Sequence, residues 1–159
     1  MKTGWYYVND RVTDKLLMKS DAFVPQNNLY AKATKEGTVL YPGILGGANW
    51  SPSAVDESSQ TGFVAAIHAP IVYKLVEETA HDGIPAIRYA SSEPTKDPRW
   101  GVLSAINLAT GKMQWQVKTE QPLLGGLLAT SSVLLFVGEG NGHFNATQSN
   151  TWNLLGTAI

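Results

Sequence analysis

The chain has 159 residues, 43% hydrophobic and 16% charged, with a formal net charge of −1 and no cysteine. That balance offers no electrostatic footprint for nucleic acid or an anionic membrane, and the missing cysteines exclude disulfides, thiolate metal sites and covalently attached haem. No apolar run approaches the ~18 residues of a membrane-spanning helix, which leaves an ordinary β-rich composition with enough chain for one core.

In chain order, MKTGWYYVND leads straight into a strand, so no secretory signal is expected at this start. Residues 5–8 and 15–18 read as the strands of a first hairpin. Residues 20–35 are polar and irregular, with Pro25-Gln26-Asn27-Asn28 as a turn. A short strand over 38–41 is followed by the glycine-rich segment 42–52, PGILGGANWSP, too irregular for a core strand. Residues 54–55 and 62–68 flank a turn and form a second hairpin. Residues 71–76 alternate and carry β-branched side chains, which argues for strand over helix. Residues 77–99 read as a loop rich in charge, proline and serine, with a short strand at 87–90. A third hairpin, GVLSAINLATGKMQW, turns on Ala109-Thr110-Gly111-Lys112. Residues 122–130 lead into an apolar strand over 133–138. The prediction is an all-β protein.

The third hairpin recurs. Gly142 lies 41 residues after Gly101 and opens GHFNATQSNTWNLLG; Gly4 opens GWYYVNDRVTDKLLM. Aligned on those glycines, the units near 4–18, 101–115 and 142–156 share a small or β-branched fifth residue (Val8, Ala105, Ala146). They share a polar seventh residue (Asp10, Asn107, Gln148) and a threonine at the tenth (Thr13, Thr110, Thr151). The 97 residues between Gly4 and Gly101 leave room for a further, diverged unit with an insertion. A repeat of ~40–45 residues built from short strands is the pattern of a propeller blade, four antiparallel strands each. The expected architecture is a single partial propeller domain over residues 1–159, with roughly three to four blades and the glycine-rich loop 42–52 on one side.

The ordered set Gly46-Gly47-Ala48-Asn49-Trp50, Thr61-Gly62, Ala105-x-Asn107-x-x-Thr110-Gly111-Lys112-x-x-Trp115, Gly125-Gly126-Leu127-Leu128-Ala129-Thr130 and Leu135-Phe136-Val137-Gly138 resembles the later part of the quinoprotein dehydrogenases. These are pyrroloquinoline-quinone-dependent alcohol and methanol dehydrogenases with an eight-bladed propeller. The resemblance implies that Asn49, Trp50, Leu124, Gly125 and Gly126 face the cofactor, with the Asn49 amide hydrogen-bonding the quinone's carbonyl oxygens. A neutral amide donor suits that task, because it stabilises charge on the oxygen without competing for protons. Leu124 stands where methanol dehydrogenases carry tryptophan, which removes one polar contact. Ala105, Thr110, Gly111 and Trp115 are implied to dock one blade on the next.

The resemblance also implies what is absent. The family's catalytic aspartate, the ligands of its calcium or lanthanide ion and its quinone-stacking tryptophan belong to earlier blades. Asp14 and Met18, and Trp152 and Gly156, depart from the Gly and Trp of the third hairpin's pattern, and residues 150–159 are not expected to continue into another blade. The implied function is a piece of a dehydrogenase that oxidises an alcohol or sugar and passes electrons to a cytochrome or quinone. The implied location is periplasmic, and open blade edges favour self-association. The alternative is a non-catalytic propeller scaffold, which needs only the repeated docking residues. His68, His81 and His143 lack metal-ligand spacing and read as surface or strand-end residues. Glu77, Glu78 and Asp82 read as a solvated face near Lys74.

Overall fold

The computed structural model describes every residue except Trp152 and Ile159, and its described residues contain strands and no helix. Thirteen strands run β1 Tyr7–Asn9, β2 Leu16–Lys19, β3 Thr38–Leu40, β4 Ala54–Asp56, β5 Thr61–His68, β6 Ile71–Glu78, β7 Ile87–Pro94, β8 Trp100–Asn107, β9 Met113–Thr119, β10 Leu127–Ala129, β11 Leu134–Gly138, β12 Phe144–Gln148 and β13 Leu154–Ala158. Two antiparallel four-stranded blades, β4-β5-β8-β9 and β10-β11-β12-β13, follow the two-stranded hairpin β1-β2. A three-stranded sheet, β3-β6-β7, completes the set.

The central blade is buried from both sides, and its period-2 alternation divides its side chains between two cores. Phe63 and Ala65 of β5 and Leu103 and Ala105 of β8 join Leu123, Leu135 and Val137 on the side of the last blade. Val64, Ala66, Val102 and Ile106 point the other way, against Phe23, Val24 and Ala48 beside the first hairpin. Every residue of β5 is therefore buried, as a strand packed on both faces requires.

The repeat positions are turn chemistry. Asn107 Oδ1 accepts the backbone N–H groups of Ala109 and Thr110 and the Thr110 hydroxyl, at 2.9–3.1 Å. Asp10 Oδ1 does the same for Val12 and Thr13, and those bonds, led by the Thr13 hydroxyl, hold its carboxyl below the usual carboxylate range. In the last blade Gln148 Oε1 accepts from the Thr151 hydroxyl at 3.2 Å. The next position needs a left-handed backbone: Gly111 has φ +75°, and Asp14 adopts φ 60° in its place. Trp152, the corresponding residue of the last unit, lies outside the described residues.

These hairpin turns dock one blade on its neighbour. The Asp21 N–H donates to the Gly111 carbonyl at 2.8 Å, and the Asp21 carboxylate accepts from Lys112 Nζ and the Met113 N–H. A Cβ on Gly111 would stand 2.7 Å from the Lys19 carbonyl and 3.0 Å from Met18 Sδ, so this close approach also demands glycine. Trp115 crosses the next junction. Its indole N–H donates to the Ser149 carbonyl at 2.9 Å, and its ring lies tilted 6.0 Å from Phe63.

Two expectations are corrected. Residues 77–99 are not a loop: β6 runs on to Glu78, and Ile87–Pro94 pairs with it along its whole length. The middle of the chain holds no further repeat unit. Its extra length is the β6–β7 excursion between the second and third strands of the central blade, joined by β3. Residues 154–158 are a strand that completes the last blade, with Gly156 opposite Ala146. The carboxylates of the excursion are paired along the sheet, with Glu77 on Lys35 and Arg88, and Lys74 on Glu93.

His68 is a strand-end residue, but it is buried, with 8% of its surface exposed. Its ring stacks on Trp100 at 4.5 Å and tilts against Tyr41 at 5.5 Å, and its Nδ1 has no hydrogen-bond partner among the described residues. Tyr41 in turn donates to Asp97, and Lys118 lies over the Trp100 ring. The imidazole thus fastens the root of the excursion to the blade.

Two measurements test this packing. Trp115→Ala removes most of a half-buried indole and its hydrogen bond, and is expected to cost ~2–3 kcal/mol in urea unfolding, whereas Trp115→Phe costs about 1 kcal/mol. Burial lowers the His68 pKa, with Asp97 opposing and Lys118 adding to the effect. The folded site therefore favours the neutral imidazole. Its stabilisation is complete above the unfolded value of ~6.5 and is lost as pH falls through the lower folded value. Thermal melting between about pH 7.5 and pH 5 should fall in wild type, and fall less in His68→Phe.

Candidate functional site

The glycine-rich loop is pinned at both ends. Gly47 and Ile67 exchange backbone hydrogen bonds at 2.9 and 3.1 Å, and Ala48, itself buried, donates to the Met1 carbonyl. On the far side Ser51 is buried again. Between these anchors Asn49 and Trp50 are exposed, Trp50 at 81%. Among the described residues the Asn49 amide has no hydrogen-bond partner, so its donor and acceptor are both free for a ligand.

Leu123–Leu127 belong to the equivalent segment one blade on, leading into β10 as residues 49–53 lead into β4. Leu123 is fully buried and anchors the segment, while Leu124, Gly125 and Gly126 are exposed. The two segments meet. Ser51 Oγ donates to the Leu123 carbonyl at 3.3 Å, and the Leu127 N–H donates to the Pro52 carbonyl at 3.2 Å. Gly126 faces Pro52 so closely that an added Cβ would lie 2.9 Å from its Cγ. Gly125 approaches the Gly138 carbonyl, where a Cβ would stand at 3.3 Å.

The five residues predicted to face the cofactor, 49, 50, 124, 125 and 126, thus fall in two adjoining segments at one end of neighbouring blades. All five are exposed to solvent and make up the candidate wall. Its chemistry is one free carboxamide, one exposed indole, one exposed leucyl side chain and two glycines whose backbone a flat ligand can approach. A planar aromatic o-quinone fits that set: hydrogen bonding at its carbonyl edge and apolar contact at its face. The predicted docking residues lie away from the wall. Ala105 is fully buried opposite Trp115, Gly111 and Trp115 contact the neighbouring sheets, and Thr110 bonds within its own turn, to Asn107 and Lys112.

A separate cleft of about 280 Å³ opens beside the same loop, between Ile44 and Leu45 and the root of the excursion at Ala69–Ile71, Pro94 and Arg99. Sequence reasoning missed it because the excursion was read as loop. Among the described residues no three His, Asp or Glu side chains cluster as metal ligands.

The chain is 28% identical to a lupanine 17-hydroxylase [cytochrome c] of Pseudomonas sp over 94% of its length, covering 24% of that protein. It is 33% identical to a quinoprotein ethanol dehydrogenase of Pseudomonas aeruginosa over 66% of its length, covering 17% of that protein. Among solved structures, the quinohemoprotein alcohol dehydrogenase from Comamonas testosteroni superposes over 99% of this chain and 27% of its own, with TM-score 0.79 and 24% identity. A europium-containing methanol dehydrogenase superposes with TM-score 0.77 over 31% of its chain, and both show the same propeller fold. The chain spans 24% and 28% of the lengths of two relatives that each match 94% of it. The model of the glucose/ethanol/alcohol dehydrogenase β-propeller domain, a PQQ family, matches residues 10–157. With nearly every residue inside that match, the chain belongs to the PQQ β-propeller family of the quinoprotein dehydrogenases.

Proposed function

We propose that this chain supplies one wall of the cofactor site of a quinoprotein dehydrogenase that oxidises an alcohol or a sugar. The observation that carries the reading is that the loop bearing Asn49, whose amide has no partner among the described residues, meets the segment bearing the exposed Gly125–Gly126 backbone at one blade junction, through Ser51–Leu123 and Pro52–Gly126. When bound, pyrroloquinoline quinone supplies the two-electron acceptor for the substrate's hydride.

This chain's residues bind and orient. The Asn49 amide N–H would donate to a carbonyl oxygen of the bound quinone, where a neutral donor favours negative charge. Being neutral, it neither takes nor gives a proton. Gly125 and Gly126 let the backbone come close to the ring system, and Leu124 and Trp50 exclude water from its edge. The base that removes the substrate proton and the ligands of a calcium or lanthanide ion are assigned to parts of the enzyme outside this chain. So are the contacts to a cytochrome or quinone electron acceptor, and the periplasmic setting belongs to the same reading. On this account the isolated chain binds quinone without turning over substrate.

A titration of the purified chain with pyrroloquinoline quinone and calcium, followed by tryptophan fluorescence, tests the reading, with Trp50 as a local reporter beside Asn49. Saturable quenching is expected, and Asn49→Ala should weaken it by roughly 5–30-fold, the worth of one hydrogen bond to a partly charged acceptor. A folded chain that shows no saturable change up to about 0.5 mM quinone contradicts the proposal.

A further inference from the structure

Asn49 can serve a cofactor only if its amide is held at a fixed distance from the backbone that carries the rest of the site. Its own neighbours supply half of that restraint, through the Gly47–Ile67 hydrogen bonds and the Ala48–Met1 bond. The other half comes from the next blade. Ser51, 7% exposed and two residues after Asn49, donates its hydroxyl to the carbonyl of fully buried Leu123. Pro52 accepts the Leu127 N–H at 3.2 Å, and its ring lies against Gly126 with no room for a Cβ.

We infer that Ser51 and Gly126 are positioning residues: they clamp the Asn49 loop to the Leu124–Gly126 loop across the blade junction and so set where the Asn49 amide points. The inference rests on the cofactor-wall reading above and adds the device that assembles that wall from two blades. Ser51 acts without touching the ligand, whereas Gly126 also lines the wall. Removing the Ser51 hydroxyl leaves the Leu123 carbonyl without this donor and frees the loop on that side. A methyl group at Gly126 drives Pro52 away, and with it the chain that leads back to Asn49.

The test is a double-mutant cycle on quinone binding by the full chain. Ser51→Ala and Gly126→Ala are each expected to weaken pyrroloquinoline quinone binding about fivefold or more. Gly156→Ala, where an added Cβ meets nothing within 4 Å, should bind as wild type. In an Asn49→Ala background Ser51→Ala should cause little further loss, because it acts through that amide. A Ser51→Ala loss that adds fully to the Asn49→Ala loss would overturn the clamp. So would unchanged binding by both single variants while Asn49→Ala still weakens it, which leaves the wall reading standing. A wild-type chain that binds no quinone, or an Asn49→Ala variant that binds like wild type, sinks the wall reading instead.

A readout without quinone separates the two further. Ser51→Ala and Gly126→Ala should shift the backbone amide resonances of Asn49 and Trp50 while leaving those of β8 and β9 in place. Unmoved Asn49 and Trp50 resonances in both variants would also overturn the clamp. Should Gly126→Ala fail to fold, Ser51→Ala carries the same comparison alone.

Discussion

The structure depends on how one blade is fastened to the next. Two hairpin turns offer a backbone carbonyl or a glycine, to which the neighbouring sheet brings a large side chain or a backbone donor. Trp115 reaches the Ser149 carbonyl, and Met18 and Lys19 lie against Gly111. Such contacts tolerate little play, because the donor is partly buried and its loss leaves an acceptor without compensation. They fix the spacing of the sheets, and the two apolar cores fill the spaces that this spacing leaves. The placement of the segments leading into β4 and β10 follows from it.

The excursion between β5 and β8 shows the same economy. β3, β6 and β7 bury little, and β7 is almost wholly exposed. What holds the sheet is its hydrogen-bond ladder, a set of exposed ion pairs worth little each, and the ring stack of Tyr41, His68 and Trp100 at its root. That root lies one residue past the Gly47–Ile67 bonds. The sheet therefore begins beside the glycine-rich loop, which is why the cleft lined by Ile44, Leu45 and Arg99 opens next to the candidate site.

Much of the fold was legible because the repeat is chemical as well as hydrophobic. The polar seventh residue and the threonine three places later are hydrogen-bonded partners in all three units, so their spacing marks the turn even where Gly and Trp have been replaced. The excursion was not legible. Ile87–Pro94 carries serines, a glutamate and a proline on exposed faces, and only pairing with β6 makes it a strand. Leu154–Ala158 is a strand for the same reason, exposed throughout and defined by its ladder to β12. The candidate site was legible only through the family pattern, since a lone asparagine in a glycine-rich loop carries no chemistry of its own. Ser51 was invisible at that level. Its partner Leu123 is 72 residues away, and only the blade junction brings them together.

The most direct test of the central claim, that blade stacking builds a quinone-binding wall from two loops, is residue-resolved mapping of the bound cofactor. Backbone amide resonances of the isotope-labelled chain would be followed as pyrroloquinoline quinone is added. The account predicts shifts concentrated in residues 47–52 and 123–127 together, with β8, β9 and the β6–β7 sheet unmoved. Shifts centred on the cleft at Ile44, Ile71 and Arg99, or confined to one of the two loops, would contradict it.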